Sequence, residues 1–228
     1  MKFFTKVSLL IALLILPLAV SAQYQDQAPE NTSKPAWLAL KTNLFYGAYT
    51  LTPNLGLELG LGQRSSLDLG FGYNPWNYNG TEKRDESGVA YFDNKKLVHW
   101  LGALEYRYWL CQRFSGHFFG VHALASQFNI SEYDVPWLLE FEKQYRYQGR
   151  IFGDEDNGWL GAIGGGISYG YQFLLGKHWN IETTIGVGYV YLKYDKYQCP
   201  KCGERIPPTL VRDYVGPTKI GISLMYIF

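Results

Sequence analysis

Cys199-Pro200-Lys201-Cys202-Gly203 is the segment of this 228-residue chain whose spacing most directly suggests chemistry. A CxxC pair can close a small disulfide ring, supply half of a tetrahedral zinc site, or cycle as a redox couple. Structural zinc takes four ligands. No second CxxC exists, and the third cysteine, Cys111, falls in a turn at the opposite end of the fold read below. A thioredoxin-type role needs a helix N-terminus to depress a thiol pKa, and Pro207-Pro208 downstream gives no such helix. In an exported, oxidising setting a local Cys199–Cys202 disulfide is the expected state, ahead of a metal site and of redox catalysis. No metal and no cofactor are expected.

Other polar clusters read as structure. Asp154-Glu155-Asp156-Asn157-Gly158 resembles the opening of a calcium loop, but no bidentate acid follows at the spacing an EF-hand requires. It reads as a solvated acidic loop tip. Of the scattered histidines His99, His117, His122 and His178, only His99, near Asp93, suggests hydrolase chemistry at a membrane face. No Ser/His/Asp set shows a signature spacing. Gly164-Gly165-Gly166 lacks the Lys-Ser/Thr of a phosphate loop and its strand-to-helix setting. Glycine there lets a curved wall form or makes room for a bulky neighbour.

The strongest cluster is ionic. Glu58, Asp68, Glu105 and Glu182 fall on the same face of their segments as Lys41, Arg107 and Lys219 fall on theirs. Four acids and three bases pointed into one interior must pair, because an unpaired buried charge is costly. A paired network that plugs the interior is expected, ahead of an ion pathway.

Those charges need strands to aim them. Hydrophobicity with a period of two marks a strand with two different faces. Leu55, Leu57, Leu59 and Leu61 alternate with Asn54, Gly56, Glu58 and Gly60; Leu67, Leu69, Phe71 and Tyr73 alternate with Ser66, Asp68, Gly70 and Gly72. The same reading gives a first strand from about Trp37 to Tyr46, and others near 97–109, 117–129, 159–173, 180–191 and 219–228. The fifth is least clear, because both its faces carry apolar residues. This predicts an all-β fold, an eight-stranded antiparallel transmembrane β-barrel with long extracellular loops.

The ends and the composition fit that class. Lys2, Lys6, the apolar run Val7–Val20 and Val20-Ser21-Ala22 read as a signal peptide, residues 1–22, cleaved before Gln23. A periplasmic segment, 23–36, then precedes the barrel, 37–228. Cleavage removes two lysines, so 21 basic residues become 19 against 20 acidic ones. That near balance gives no electrostatic reason to expect nucleic acid. Aromatics are 17% of residues, with 25 Gly, yet mean hydropathy is slightly negative. Aromatic and glycine content without an apolar helix suits strands that face lipid on one side only. Connections near 62–65, 110–116 and 174–179 are short, whereas those near 75–95, 130–157 and 194–213 are long. Short periplasmic turns and long outer loops are the outer-membrane layout, with 47–53 a short exception. Phe228, with Tyr226 on the same face, matches the C-terminal aromatic signal read by barrel-insertion machinery.

The stretches LKTNLFYGAYTLTPNLGLELGLG, LEYRYWLC, GGGISYGYQFLL, WNIETTIGVGY and VGPTKIGISLMYIF resemble an uncharacterised Bacteroides-type family. Its members are small outer-membrane β-barrels, a domain of unknown function often encoded near fimbrillin genes. The resemblance covers Trp37 to Phe228 and implies the fold and the location; it implies no catalytic residues. The expected role is therefore a non-enzymatic outer-membrane protein whose outer loops bind a surface partner, as an accessory to surface-fibre assembly. Trp76, Tyr78 and Trp137 are the expected binding surface, and outer-membrane lipid is the other partner. The alternative is a small hydrolase or acyltransferase acting at the outer face.

The cysteine reading is checked by mass spectrometry of unreduced peptides from the mature protein. A Cys199–Cys202 bond and a free Cys111 are expected. So small a ring contributes little to global stability, so replacing both loop cysteines with Ser should leave the unfolding midpoint unchanged and sensitise 194–213 to proteases. Stoichiometric zinc with both thiols reduced would overturn the disulfide.

Overall fold

The computed structural model describes residues 36–77, 82–84, 90–92, 96–131, 145–150, 161–198 and 203–228. Residues 1–22, read above as a signal peptide, most of the 23–36 segment, Asp93, the Asp154–Gly158 tip and the Cys199/Cys202 pair lie outside the described residues. The strands are β1 (Leu38–Asn43), β2 (Asn54–Gly60), β3 (Ser65–Asn74), β4 (Glu82–Arg84), β5 (Ala90–Phe92), β6 (Lys96–Trp109), β7 (Gly116–Ser131), β8 (Arg146–Gly149), β9 (Gly161–Leu174), β10 (Trp179–Tyr197) and β11 (Arg205–Ile227). One helix, α1 (Leu44–Thr50), follows β1.

Eight of these strands close a ring in the order β1-β2-β3-β6-β7-β9-β10-β11, and β11 returns to β1. Every pairing is antiparallel. Closure removes the unpaired edges that an open sheet must protect. β8 fills the wall between β7 and β10 beyond the start of β9, pairing with Phe128–Ser131 and Asp195–Tyr197. β4 and β5 form a separate hairpin. Tight turns 61–64, 110–115 and 175–178 close one end, held by bonds such as Leu61 N to Ser65 O (2.9 Å) and Leu175 N to Trp179 O (3.0 Å). The opposite end carries α1 and the longer connections.

The alternation predicts a first strand running to Tyr46, but β1 stops at Asn43. Asn43 has extended backbone and its side chain accepts a hydrogen bond from Tyr46 N at 3.0 Å, the N-cap geometry that starts a helix. Its own N–H donates to Asn54 Oδ1 at 2.7 Å, which ties the cap to β2. Leu51, at φ 51°, ends the helix in the left-handed region. β1 pairs with β11 only over Ser223–Ile227. Beyond that point α1 packs against β11 in the place a longer β1 would occupy.

The largest departure is at the last hairpin. Alternation predicts strands ending near 191 and starting at 219, with a long loop at 194–213. Instead β10 has 19 residues and β11 has 23, paired as far as Tyr197↔Arg205. A bulge explains why the pattern is broken. Lys219 pairs with Gly186 but Pro217 pairs with Val187, so Thr218 is the extra residue. Inward positions are odd from Lys219 to Met225 and even from Leu210 to Gly216, and period two fails across the join. A second shift, opposite Asp195, absorbs Pro207-Pro208, which cannot both sit in a regular ladder.

Two glycines mark the closest approach of strands in the wall. A Cβ on Gly166 would collide with the Val187 carbonyl oxygen, and one on Gly188 with that of Gly165. This part of the glycine-rich stretch therefore serves close backbone packing.

The faces are inverted relative to an ordinary soluble domain. Glu58 and Arg107 are 0% exposed, whereas Val121 and Ile167 are 63% exposed. Leu55, Leu69, Phe71, Leu104, Tyr106 and Val187 share that outward belt. Inside, an apolar cluster of Ala39, Trp109, Phe114, Phe118 and Met225 fills the turn end. A second, built from Leu97, Phe128, Ile130, Tyr147, Val190, Leu192 and Tyr194, fills the loop end.

Candidate functional site

Between the two apolar clusters lies the ionic layer. Pairing register alone creates an electrostatic problem there. Glu58 sits directly opposite Asp68, and Asp68 directly opposite Glu105, so three carboxylates stand side by side on β2, β3 and β6. Like charges facing each other across strands are destabilising. Arg107, two residues along β6 from Glu105, resolves it.

Its guanidinium is wholly buried and makes five hydrogen bonds, as many as it has N–H donors. Nε donates to Glu105 (2.7 Å), Nη1 to Glu58 (2.8 Å) and Glu182 (2.6 Å), and Nη2 to Asp68 (2.9 Å) and Glu182 (3.1 Å). The Phe118 ring, with its centroid 4.4 Å away, packs against the same cation from the turn-end cluster. Lys41 adds contacts to Asp68 (2.8 Å), Glu58 (3.2 Å) and Glu182 (3.5 Å). Lys219, the least buried of the seven, reaches Glu105 (2.6 Å) and Asp68 (3.4 Å). All seven charged residues expected to face inward meet in this layer.

Neutral donors complete it. Ser66 donates to Glu58 at 2.6 Å and receives the Trp109 indole N–H at 2.9 Å. Thr184 donates to Glu182 at 3.0 Å, and Ser168 donates to Glu105. The sequence reading missed these four residues. Ser66 and Thr184 carried a signal, since each occupies an inward position two residues from a network charge, whereas Ser168 pairs with Gly120 and Gly186 and reaches Glu105 across the space those glycines leave.

With this geometry in view, similarity to known proteins becomes informative. The model of a family described as a protein of unknown function, DUF3575, matches residues 9–228. The chain belongs to DUF3575. No curated protein matches it. The family description assigns no activity, so the chemistry of this DUF3575 member rests on its own residues.

Beyond the ionic layer, toward the loop end, the DUF3575 barrel holds a cavity of about 300 Å³. Lys41, Asp68, Glu182 and Lys219 form its floor, and Tyr46 and Leu124 lie higher on its wall. Tyr46 projects from α1, with its hydroxyl 2.5 Å from His99 Nε2. His99 Nδ1 faces the Leu97 carbonyl at 3.4 Å. A phenol and a backbone carbonyl are thus the partners of His99 among the described residues, and Asp93 lies outside them.

The remaining candidates are scattered. His117 meets the Tyr169 hydroxyl at 2.7 Å, and His178 meets the Ile227 carbonyl at 2.8 Å near the turn end. His122 is buried and bonded to Thr218 at 2.8 Å. Cys111 is a free, exposed thiol. Trp76 is exposed, and its indole N–H donates to the Leu51 carbonyl at 2.6 Å, which fixes it beside α1. Tyr78 and Trp137 lie outside the described residues. Among the described residues no group of three or more His, Cys, Asp or Glu is placed to hold a metal ion.

Removing Arg107 should be the most damaging single change. Arg107→Ala leaves four buried carboxylates with two lysines, and the expected loss is about 3–5 kcal/mol. The urea midpoint of the purified protein measures it. Arg107→Lys should recover only part of the loss, because an ammonium cannot fork to four partners. An unchanged midpoint in Arg107→Ala would mean the layer is solvated.

Proposed function

We propose that this DUF3575 chain is a non-enzymatic outer-membrane β-barrel whose loop end binds an extracellular partner, as an accessory to surface-fibre assembly. The observation that carries the membrane reading is the outward face of β10. It runs Trp179, Ile181, Thr183, Ile185, Val187, Tyr189, an aliphatic stretch bounded by aromatics. The ten steps from Trp179 to Tyr189, at about 3.3 Å each and tilted by about 45°, span about 23 Å along the barrel axis, close to the apolar band of outer-membrane barrels. Tyr226 and Phe228 stack edge-to-face at 5.1 Å beside Trp179, on the rim where interfacial aromatics belong. In this reading Phe228 also serves the insertion machinery, and residues 1–22 direct export.

A plugged interior supports a binding role over a pore. The ionic layer and the Trp109–Phe118 packing, at 4.8 Å between ring centroids, occupy the lumen. The loop end supplies the surface. There Trp76, Leu44 and Leu51 are exposed around a groove beside α1. β10 and β11 also extend beyond the roughly 9–11 residues a tilted strand needs to cross a bilayer. The hydrolase alternative gains no support from the described surroundings of His99. The link to surface fibres rests on family resemblance.

Two experiments test the reading. In a background lacking the native cysteines, whole-cell labelling with an impermeant maleimide should reach Gln198→Cys and spare Gln63→Cys until the cells are lysed. Equal labelling of both sites would refute the topology. A deletion strain scored by electron microscopy should show fewer or shorter surface fibres. Unchanged fibres would remove the assembly role while leaving the membrane location standing.

A further inference from the structure

We propose that the outer wall at the loop end, where β6, β7 and β8 meet, binds the phosphate of an outer-leaflet glycolipid through Lys96, Arg146 and Arg150. The proposal rests on the outer-membrane reading above. Strand register places the side chains. Lys96 pairs with Ser131, and Ser131 pairs with Arg146. In the adjacent row Leu97, Ile130 and Tyr147 pair in the same way and are buried in the loop-end apolar cluster. Successive residues of a strand point to opposite faces, so Lys96, Ser131 and Arg146 face out of the barrel. Arg150 continues that side of β8 beyond Gln148. With the Gln148 amide in the orientation that satisfies its neighbours, its oxygen accepts from Arg150 Nε at 2.6 Å and from Nη2 at 2.8 Å.

These three cations have no carboxylate partner among the described residues. Arg146 packs over the Tyr197 ring, 4.1 Å from its centroid. Asp195, opposite Gln148, is taken by Arg205 and Thr209 at 2.9 and 2.8 Å, and Asp213 by the Tyr189 hydroxyl. Glu204 sits beyond Arg205, at the tip of the β10–β11 hairpin. Arg146 instead lies close enough to Lys96 to repel its ammonium. Two like charges two strands, or about 10 Å, apart with a short serine between them make a fork for one anion. A phosphate offers several acceptor oxygens and takes a guanidinium in bidentate fashion. One phosphate bridging Lys96 and Arg146 relieves their repulsion, and Arg150 reaches the same face.

The height of this row selects a lipid as the source of the phosphate. At about 3.3 Å per residue and a tilt of about 45°, β6 rises about 28 Å from Tyr108 to Lys96, just past an apolar band of about 25 Å. Lys96 therefore stands at headgroup level, and the outer leaflet of an outer membrane carries phosphorylated glycolipid. Leu104 and Val121, exposed lower on the same strands, lie where its acyl chains run. A soluble phosphate would gain the cations but not that apolar surface.

The test is native mass spectrometry of the purified protein in a non-ionic detergent. Phosphorylated lipid A is the probe, with its dephosphorylated form and inorganic phosphate as counterparts. One-to-one retention of phosphorylated lipid A is expected, with the dephosphorylated form at least tenfold weaker. The double variant Lys96→Gln, Arg146→Gln should weaken retention at least tenfold while the urea midpoint stays near that of the parent, because both side chains face outward. Arg64→Gln, an equal loss of charge in the turn at the opposite end, should retain lipid as the parent does. Should the double variant fail to fold, Arg150→Gln should still weaken retention severalfold. Absence of binding in a protein whose cysteine labelling supports the topology would overturn this proposal alone. Equal retention of the dephosphorylated form would overturn the phosphate assignment, and displacement by inorganic phosphate at the lipid's own concentration would overturn the lipid source. Undiminished binding in the double variant, or an equal loss in Arg64→Gln, would overturn the assigned site.

Discussion

The Arg107 guanidinium, with its five donors committed to four carboxylates, is the interaction on which the rest of the barrel depends. Without it, Glu58, Asp68 and Glu105 would face one another across neighbouring strands with no fork to separate their charges. The layer draws side chains from β1, β2, β3, β6, β10 and β11, and Ser168 adds β9. A one-residue slip in any of these would turn its charge outward and strand its partners. Burying so many ions is costly, and a well-packed apolar core could match or exceed the stability it provides. Its value here is register. Neighbouring strands with apolar outer faces could slide past one another, and the ionic contacts select one alignment.

That layer also dictates what lies on either side of it. Charges in a low-dielectric interior interact strongly only if water is kept away. Trp109, Phe114, Phe118 and Met225 do this at the turn end, and Arg107 stacks on Phe118 where the two layers meet. At the loop end the seal is less complete. Leu97, Phe128, Val190 and Leu192 cover one side, while α1 and the Tyr46–His99 contact lie over the cavity. The interior is thus asymmetric, packed below the ions and hollow above them.

The hollow side coincides with two of the places where the wall departs from regular strands. Asn43 ends β1 and starts α1, so Tyr46 enters the mouth of the barrel and does not continue the outer face. The Thr218 bulge shifts β11 by one residue, which brings Thr218 to His122 while keeping Lys219 over Glu105. Bulges redirect side chains in this way and recur near functional sites. Capping and bulging together shape the space that the regular ladder would otherwise have filled.

By itself, the sequence determined the all-β class, eight strands for the ring, and the inward placement of all seven network charges. Period-two alternation is a local property, and Leu55–Leu61 or Ile181–Val187 display it without help from distant residues. Only the tertiary structure decided that one arginine gathers four carboxylates, because register between strands is a relation among segments far apart in the chain. It also decided where β1 and β11 change character. Asn43 caps a helix because Asn54 holds it there, and period two breaks at Thr218 because the partner strand sets which residue is extra. Inward glycines read as permissive in sequence; whether each is filled by Lys41, Tyr46 or Asn43, or left open as at Gly70, depends on side chains arriving from other strands.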